Sequence, residues 1–180
     1  LEAEYAHNVP RGPGGESLAC GMFAVLKDPE VDRLITNRIP ANSTELSMQA
    51  SRDLFPHASC FCELQLSRNE ELSISALDLP DFCHTFSVSR ARALRNQLGP
   101  PRAVTEVEEL AAFRRLVDRE GAPPAGARVS LLQATLPMGD VNATDVAEAA
   151  HIGLLRAHGA ALPAELVSYR APVPRAAVWQ

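Results

Sequence analysis

The sequence predicts an α+β fold, with a mostly antiparallel sheet and helices packed on one of its faces. Short runs such as residues 72–76 alternate apolar and polar side chains, which is typical of half-buried strands. Residues 105–120 instead repeat their apolar side chains with the helical period. Two apolar runs on either side of Pro29 predict a β-hairpin, and hairpin strands are antiparallel.

Composition and charge exclude some of the functions that a chain of this length could have. The chain has 180 residues, enough for one domain with a substantial core, and its 46% hydrophobic content is ordinary for a globular protein. A net charge of −5 argues against a protein that coats nucleic acid with its whole surface. No apolar run could span a bilayer and no signal peptide is visible, so we expect an intracellular protein, nuclear or cytoplasmic, without a membrane partner.

The first predicted elements surround the hairpin. Residues 1–17 are expected to be irregular, because Pro and Gly are dense between positions 8 and 16. Strands at 20–26 and 31–37 form the hairpin, with a turn at 27–30. Since the chain begins with Leu1 rather than Met, we expect an internal fragment or an incomplete gene model.

The next stretch leads to a carboxylate. Residues 41–56 are polar and irregular, with one helical turn expected near Glu45, and a strand is predicted at 61–66. The alternating strand at 72–76 then ends at Asp78. A carboxylate at the end of a buried strand can hold a metal ion, because the strand fixes its oxygens and the following turn leaves room for a substrate.

Helices dominate the second half. A helix at 89–98 is expected to stop at Gly99, which is followed by two prolines. A capping box at 105–108 starts a second helix, which Gly121 ends.

The last predicted elements are a strand, a turn and a helix. After a strand at 129–134, the LPMG turn at 136–139 leads to a helix at 143–157 with an apolar face. Gly139 allows a backbone to approach a base or sugar closely, while the helix behind it keeps the turn rigid.

Three motifs, in this order, resemble those of the reverse transcriptases. They are the hairpin sequence KDPEVDRLITNRIPAN at 27–42, DLPDFCH at 78–84, and LPMG followed by a helix. The resemblance covers about residues 20–160 and implies the fingers and part of the palm of a right-hand polymerase. The implied regions are fingers-like at 18–70, palm with the first catalytic motif at 71–100, fingers-like at 101–135, and truncated palm at 136–180.

The resemblance also implies roles for individual residues. Asp78 would be catalytic and hold Mg²⁺, or Mn²⁺ in its place, and the carbonyl of Leu79 would face the second ion. Lys27 and Arg33 would bind the phosphates of a deoxynucleoside triphosphate, and Gly139 would lie next to the nucleotide. The implied reaction adds this nucleotide to a primer 3′-hydroxyl on an RNA or DNA template and releases pyrophosphate.

The turn after Asp78 would complete the nucleotide site. The backbone amides of Asp81 and Phe82 would contact the triphosphate. Cys83 occupies the position of the aromatic with which the family rejects a ribose 2′-hydroxyl, so the sugar selectivity stays open. Asn37 stands where the family usually has Asp.

The main departure from the family is a missing second metal motif. Two-metal catalysis needs carboxylates on both sides of ions about 4 Å apart. The family supplies them from an aromatic-x-Asp-Asp hairpin, and no Asp-Asp occurs in this sequence. We therefore expect a truncated domain that is inactive alone. The alternative is a non-catalytic retroelement remnant or nucleic-acid-binding module.

Two further patterns have both a functional and a structural interpretation. Residues 85–104 contain no acidic side chain but four arginines, which could contact phosphate or simply belong to an Arg-rich helix. Cys60 and Cys62, with His84, could form a thiolate zinc site, although C-x-C spacing fits no common zinc finger.

Overall fold

The structure, a computed structural model, describes residues 1–48, 55–160, 164–168 and 173. Its elements are β1 (Glu2–Tyr5), β2 (Gly21–Asp28), β3 (Val31–Asn37), α1 (Ile39–Asn42), α2 (Arg90–Ala93), β4 (Arg102–Ala103), α3 (Val104–Val107), α4 (Ala111–Glu120), β5 (Arg128–Leu132) and α5 (Ala143–Ala157). The chain divides into two units, Leu1–Leu46 with Asp81–Ala143, and Ser47–Pro80 with Thr144–Gln180. Helices and antiparallel sheet are mixed, as the sequence predicts.

A three-stranded antiparallel sheet forms the centre of the first unit, in the order β1-β5-β4. Strand β5 confirms the strand predicted at 129–134, with ends shifted by one or two residues. Strand β1 and the 3-10 helix Ala6–Asn8 lie in the segment predicted to be irregular, so that prediction is wrong for residues 2–8; residues 9–17 contain no helix or strand, as predicted. Ala3 and Tyr5 alternate with two glutamates in β1, so one face of the strand can enter the core.

The core lies between this sheet and the helices α3 and α4. Its buried members are Ala3, Tyr5, Val107, Ala112, Phe113, Leu116 and Val129. The single helix predicted at 105–120 is interrupted, because Leu110 has extended backbone angles between α3 and α4. The predicted capping box is also displaced, since Glu106 accepts from the backbone N–H of Ala103 at 3.3 Å. Gly121 ends α4 as predicted, at φ 86°.

The predicted hairpin is present as β2 and β3, paired antiparallel with Val25 opposite Arg33. Every residue of β2 is exposed. Apolar side chains stand on both faces of the ribbon, and Leu26 and Leu34 are 70% and 62% exposed. The helical turn expected near Glu45 is α1 with the turns that follow it, in which the N–H of Glu45 donates to the Asn42 carbonyl at 3.1 Å.

The helix predicted at 89–98 is wrong beyond its first turn. Only α2 forms, and the chain then pairs with the end of β5. The N–H of Leu98 donates to the Leu131 carbonyl at 2.8 Å, and the N–H of Gln133 donates to the Asn96 carbonyl at 3.0 Å. Residues 96–98 pair with the sheet although the segment has helix-forming residues, because helix propensity is a weak preference that tertiary contacts override.

In the second unit, the strand predicted at 72–76 is absent. Residues 71–79 have no regular secondary structure and are exposed throughout, with Leu77 at 96%. Alternation alone does not make a strand, because the backbone also needs a partner ladder and the apolar face needs a surface to cover.

The strand predicted at 61–66 is also wrong. Residues Ala58–Glu63 form a 3-10 helix, and His57 Nδ1 caps it by accepting from the N–H of Ser59 at 3.2 Å. Helix α5 matches the helix predicted at 143–157. Parts of the predicted segments 41–56 and 136–180 lie outside the described residues, namely 49–54, 161–163, 169–172 and 174–180.

Candidate functional site

The turn that contains Gly139 lies against the end of the hairpin strand β3. A Cβ at this glycine would be 2.7 Å from the carbonyl oxygen of Thr36, which leaves no room for a side chain. Asn42 holds the turn from the other side: its Nδ2 donates to the Gly139 carbonyl at 2.8 Å, and its Oδ1 accepts from the N–H of Val141 at 3.2 Å. Two of the three motifs, about a hundred residues apart in sequence, therefore meet in space.

A buried arginine also connects the end of β3 with the turn that contains Gly139. Arg38 follows β3 directly, and its side chain has no exposed surface. Its Nε donates to Asn96 at 2.9 Å, and its Nη1 donates to Asn42 at 2.7 Å. The guanidinium also pairs with Glu45 at 2.7 Å and with Asp140, the residue after Gly139, at 3.3 Å. Because buried charges need both counter-ions and hydrogen bonds, this arrangement satisfies the main condition for a stable buried arginine.

Two more arginines, from α2 and the turn after it, complete what we call the ionic cluster: Arg38, Glu45, Arg92, Arg95 and Asp140. Arg92 Nη2 pairs with Glu45 at 2.7 Å and with Asp140, and Arg95 Nε pairs with Glu45 at 3.0 Å. Burial acts to raise the pKa of Glu45, but hydrogen bonds from two arginines and the nearby positive charges lower it to about 2.

Little in the sequence predicts this cluster. Arg38 lies within the hairpin motif at 27–42, and Glu45 lies where one helical turn is expected, but neither position indicates a buried charge. The cluster partners of Arg38 are as far away as Asp140, and no spacing rule links residues so distant in sequence. Cys20 lies near the cluster and is 1% exposed, and burial raises the pKa of its thiol.

The hairpin residues predicted to grip phosphate are exposed. Arg33 lies opposite Val25, and Lys27 lies at an irregularity in the pairing of β2 and β3. Arg33 is three residues before Thr36, roughly 10 Å along the strand, and on the opposite face of it. The structure therefore places these cations on the same hairpin that contacts Gly139, but not at the contact itself.

The predicted catalytic carboxylate does not stand at the end of a buried strand. Asp78 and Leu79 belong to the irregular exposed stretch of the second unit, and this corrects the strand-end prediction. Among the described residues, no group of three or more His, Cys, Asp and Glu side chains could hold a metal ion. Within that part of the chain the residues thus fit neither a two-metal clamp nor the zinc site, and Mg²⁺ or Mn²⁺ binding by Asp78 stays a prediction.

The remaining nucleotide-site candidates lie at the start of the first unit's second segment. Asp81 is exposed and has a left-handed backbone, with φ 52°. It precedes a 3-10 helix, Phe82–Thr85, in which Phe82 and Cys83 are half-buried. The ring of Phe82 packs edge-on against Phe86, with 4.9 Å between centroids.

The four arginines of residues 85–104 all have carboxylate partners in space. Arg90 pairs with Glu4 and, at 3.3 Å, with Glu120, while Arg102 pairs with Glu106 at 3.6 Å. The other two belong to the ionic cluster. Carboxylates outside residues 85–104 supply the acidic partners that this stretch lacks, so its arginines do not form an unpaired cationic face. Contact of this stretch with phosphate stays a prediction.

A groove of about 700 Å³ runs beside β1 and carries both signs of charge. On its rim, Arg115 Nη2 donates to the Leu1 carbonyl at 2.8 Å, and Arg119 Nη2 donates to the Ala3 carbonyl at 3.5 Å. Acidic side chains of the same strand also line it, including Glu4. None of the residues predicted to bind metal or nucleotide lines this groove, so it adds nothing to the nucleotide site.

Comparisons with protein-family models, with curated proteins and with solved structures find no match for this chain. The resemblance to reverse transcriptases consequently depends on three short motifs. Contact between two of them, at Thr36 and Gly139, is the structural observation that bears on it most directly.

Proposed function

We propose that this chain is the fingers and first half of the palm of a reverse-transcriptase-like polymerase. In the complete enzyme, the reaction would be template-directed addition of a deoxynucleotide to a primer 3′-hydroxyl, with RNA or DNA as template. The chain alone is inactive under this proposal, because the 180 residues contain no Asp-Asp and the described ones contain no cluster of metal ligands.

One observation carries the proposal: the hairpin end and the LPMG turn are in contact. The resemblance assigns the hairpin to the fingers and LPMG to the palm, and a polymerase needs these parts next to each other to enclose a nucleotide. Here Asn42 bridges them through the Gly139 carbonyl, and Arg38 bridges them through Asp140.

The exposed cations of the hairpin fit the role of phosphate ligands. Lys27 and Arg33 both reach solvent, so a triphosphate can approach them without displacing the core. Cationic groups in this position would neutralise charge on the leaving pyrophosphate. Nucleotide binding is therefore the property of the isolated chain that the proposal predicts most directly.

The test measures binding of a fluorescent deoxynucleoside triphosphate, and extension of a labelled primer on a template, with Mg²⁺ present. We expect weak nucleotide binding and no extension. Replacing Arg33 with Gln should weaken binding about fivefold, as expected for the loss of roughly 1 kcal/mol. Arg114→Gln, an equal change of charge on α4, is the matched control.

Two results would count against the proposal in different ways. If the wild-type chain binds no nucleotide, or if Arg33→Gln and Arg114→Gln bind it equally, the fingers assignment fails. If the chain extends a primer by itself, the assignment stands but the claim that it is inactive alone is wrong.

A second candidate function is a non-catalytic remnant that keeps the fold and binds nucleic acid without chemistry. The exposed, irregular environment of Asp78 favours it. Asp78→Asn separates the two candidates. Mg²⁺ also binds the triphosphate itself, so the informative quantity is the difference in Mg²⁺ dependence between wild type and Asp78→Asn, which only a metal ligand at position 78 produces. If Mg²⁺ strengthens nucleotide binding equally in wild type and Asp78→Asn, the remnant is favoured.

A further inference from the structure

The ionic cluster contains more positive than negative charge. Within the described part of the chain, it joins three guanidinium groups to the two carboxylates Glu45 and Asp140. Glu45 is ionised over the whole ordinary pH range, because its pKa is about 2. Residual charge in a partly buried cluster is poorly stabilised by the protein itself, so an external anion would be bound favourably.

The excess charge reaches the surface at two residues. The Arg38 side chain has no exposed surface, whereas those of Arg92 and Arg95 are 27% and 29% exposed. Both ion pairs of Arg92 use its Nη2, and the contacts of Arg95 use Nε and Nη2. An arginine has five N–H donors, so these contacts leave donors on both residues for a further acceptor.

We propose that Arg92 and Arg95 together bind one phosphate of a nucleic acid strand. A phosphate offers several acceptor oxygens in a geometry that matches the planar guanidinium fork, and its charge offsets the excess in the cluster. The hydroxyl of Thr44 already accepts from Arg95 Nη2, which holds this side chain in place. The inference deepens the proposed function and rests on it for the nature of the ligand.

The other arginines of the same sequence stretch differ in their surroundings. Arg102 pairs one to one with Glu106, and Arg90 and Arg119 share the two carboxylates Glu4 and Glu120, which balances their charges. Neither Arg102 nor Arg90 therefore contributes a net positive charge. If local sequence alone determined phosphate binding, all four arginines would contribute; charge balance in the fold selects only two of them.

The experiment compares Arg92→Gln, Arg95→Gln and the control Arg102→Gln in the full chain. Binding of a labelled single-stranded oligonucleotide is measured by anisotropy over a range of salt concentrations. Each cluster variant should lose about fivefold in affinity, and the slope of log affinity against log salt should fall by about one. The control removes the same charge from the same segment and should bind like the wild type.

Folding of the variants is checked by circular dichroism and urea unfolding. Each single replacement leaves two cations for the two carboxylates, so we expect the cluster to persist. If a Gln variant unfolds, Arg92→Lys and Arg95→Lys replace it, since lysine keeps the charge but loses the planar fork. The two Lys variants should keep the wild-type slope of log affinity against log salt, but they should bind the oligonucleotide more weakly.

A second arm uses inorganic phosphate and follows thermal stability. If phosphate stabilises the wild type but not the cluster variants, while no oligonucleotide is bound, the anion site is real and the nucleic-acid function fails. If all variants bind the oligonucleotide like the wild type, the inference is overturned while the proposed function survives. If the control loses as much affinity as the cluster variants, the inference is also overturned.

Discussion

Gly139 and Thr36 are packed so closely that a Cβ on the glycine would stand 2.7 Å from the threonine carbonyl oxygen. The neighbour is backbone at the end of β3, which cannot rotate away as a flexible side chain could. The absence of a side chain at Gly139 is therefore a condition for the contact between the hairpin and the LPMG turn.

Replacing Gly139 with Ala should destabilise the protein by about 1–3 kcal/mol, the usual cost of overpacking a tight contact. Urea unfolding measures the effect. Gly153→Ala is the control, because a Cβ there meets nothing within 4 Å and alanine favours the helix. Equal stabilities of the two variants would contradict the described contact.

Replacing Arg38 with Met should cost about 3–5 kcal/mol, because it leaves two buried carboxylates short of their shared partner. Methionine keeps much of the side-chain volume of arginine. The loss of stability should therefore come mainly from the missing charge and only to a small extent from packing. Arg114→Met on α4, which removes an exposed pair with Glu109, should change the unfolding midpoint little. A comparably small effect of Arg38→Met would show that the cluster does not form.

The Glu45 carboxyl should make stability depend on acid pH. Its pKa is lowered in the folded protein from 4.5 to about 2, so the folded state favours the ionised form. This stabilisation is complete above the unfolded pKa and is lost as the pH falls from about 5 towards 2. Urea midpoints of wild type and Glu45→Gln, measured across this interval, should converge at low pH. Parallel curves would contradict the lowered pKa.

Leucines of the hairpin and of the core should respond very differently to truncation. Leu116→Ala removes a side chain with no exposed surface and should cost about 2–5 kcal/mol. Leu26→Ala, at a 70% exposed position, should change the free energy of unfolding by less than about 0.5 kcal/mol. A large loss for Leu26→Ala would mean that something covers the hairpin in solution.

Elements that depend on local pattern were predicted well. Strand β3 and helix α5 have the predicted ends, because a compact turn defines the first and a long periodic run defines the second. Gly121 ended its helix for the same local reason. These features need little information from the rest of the chain.

Elements that depend on distant partners were not predicted. Residues 72–76 have a strand's alternation but no ladder, while residues 96–98 lack a clear strand pattern and yet pair with the end of β5. The ionic cluster joins Arg38 to Asp140 for reasons that only the fold supplies. Of the candidate site, neither the contact of the hairpin with the LPMG turn nor the buried charges beneath it could be predicted from the sequence, because both join residues about a hundred positions apart.

Arginine contacts cover part of the outer edge of β1, and we expect them to limit pairing of the sheet with another chain. An outer strand normally presents free carbonyls that another chain can pair with, and such pairing leads to aggregation. Arg115 and Arg119 occupy the carbonyls of Leu1 and Ala3 with charged side chains from α4. A strand from another molecule would have to displace both guanidinium groups before it could pair with β1. These two arginines therefore oppose the extension of the sheet from one molecule to the next.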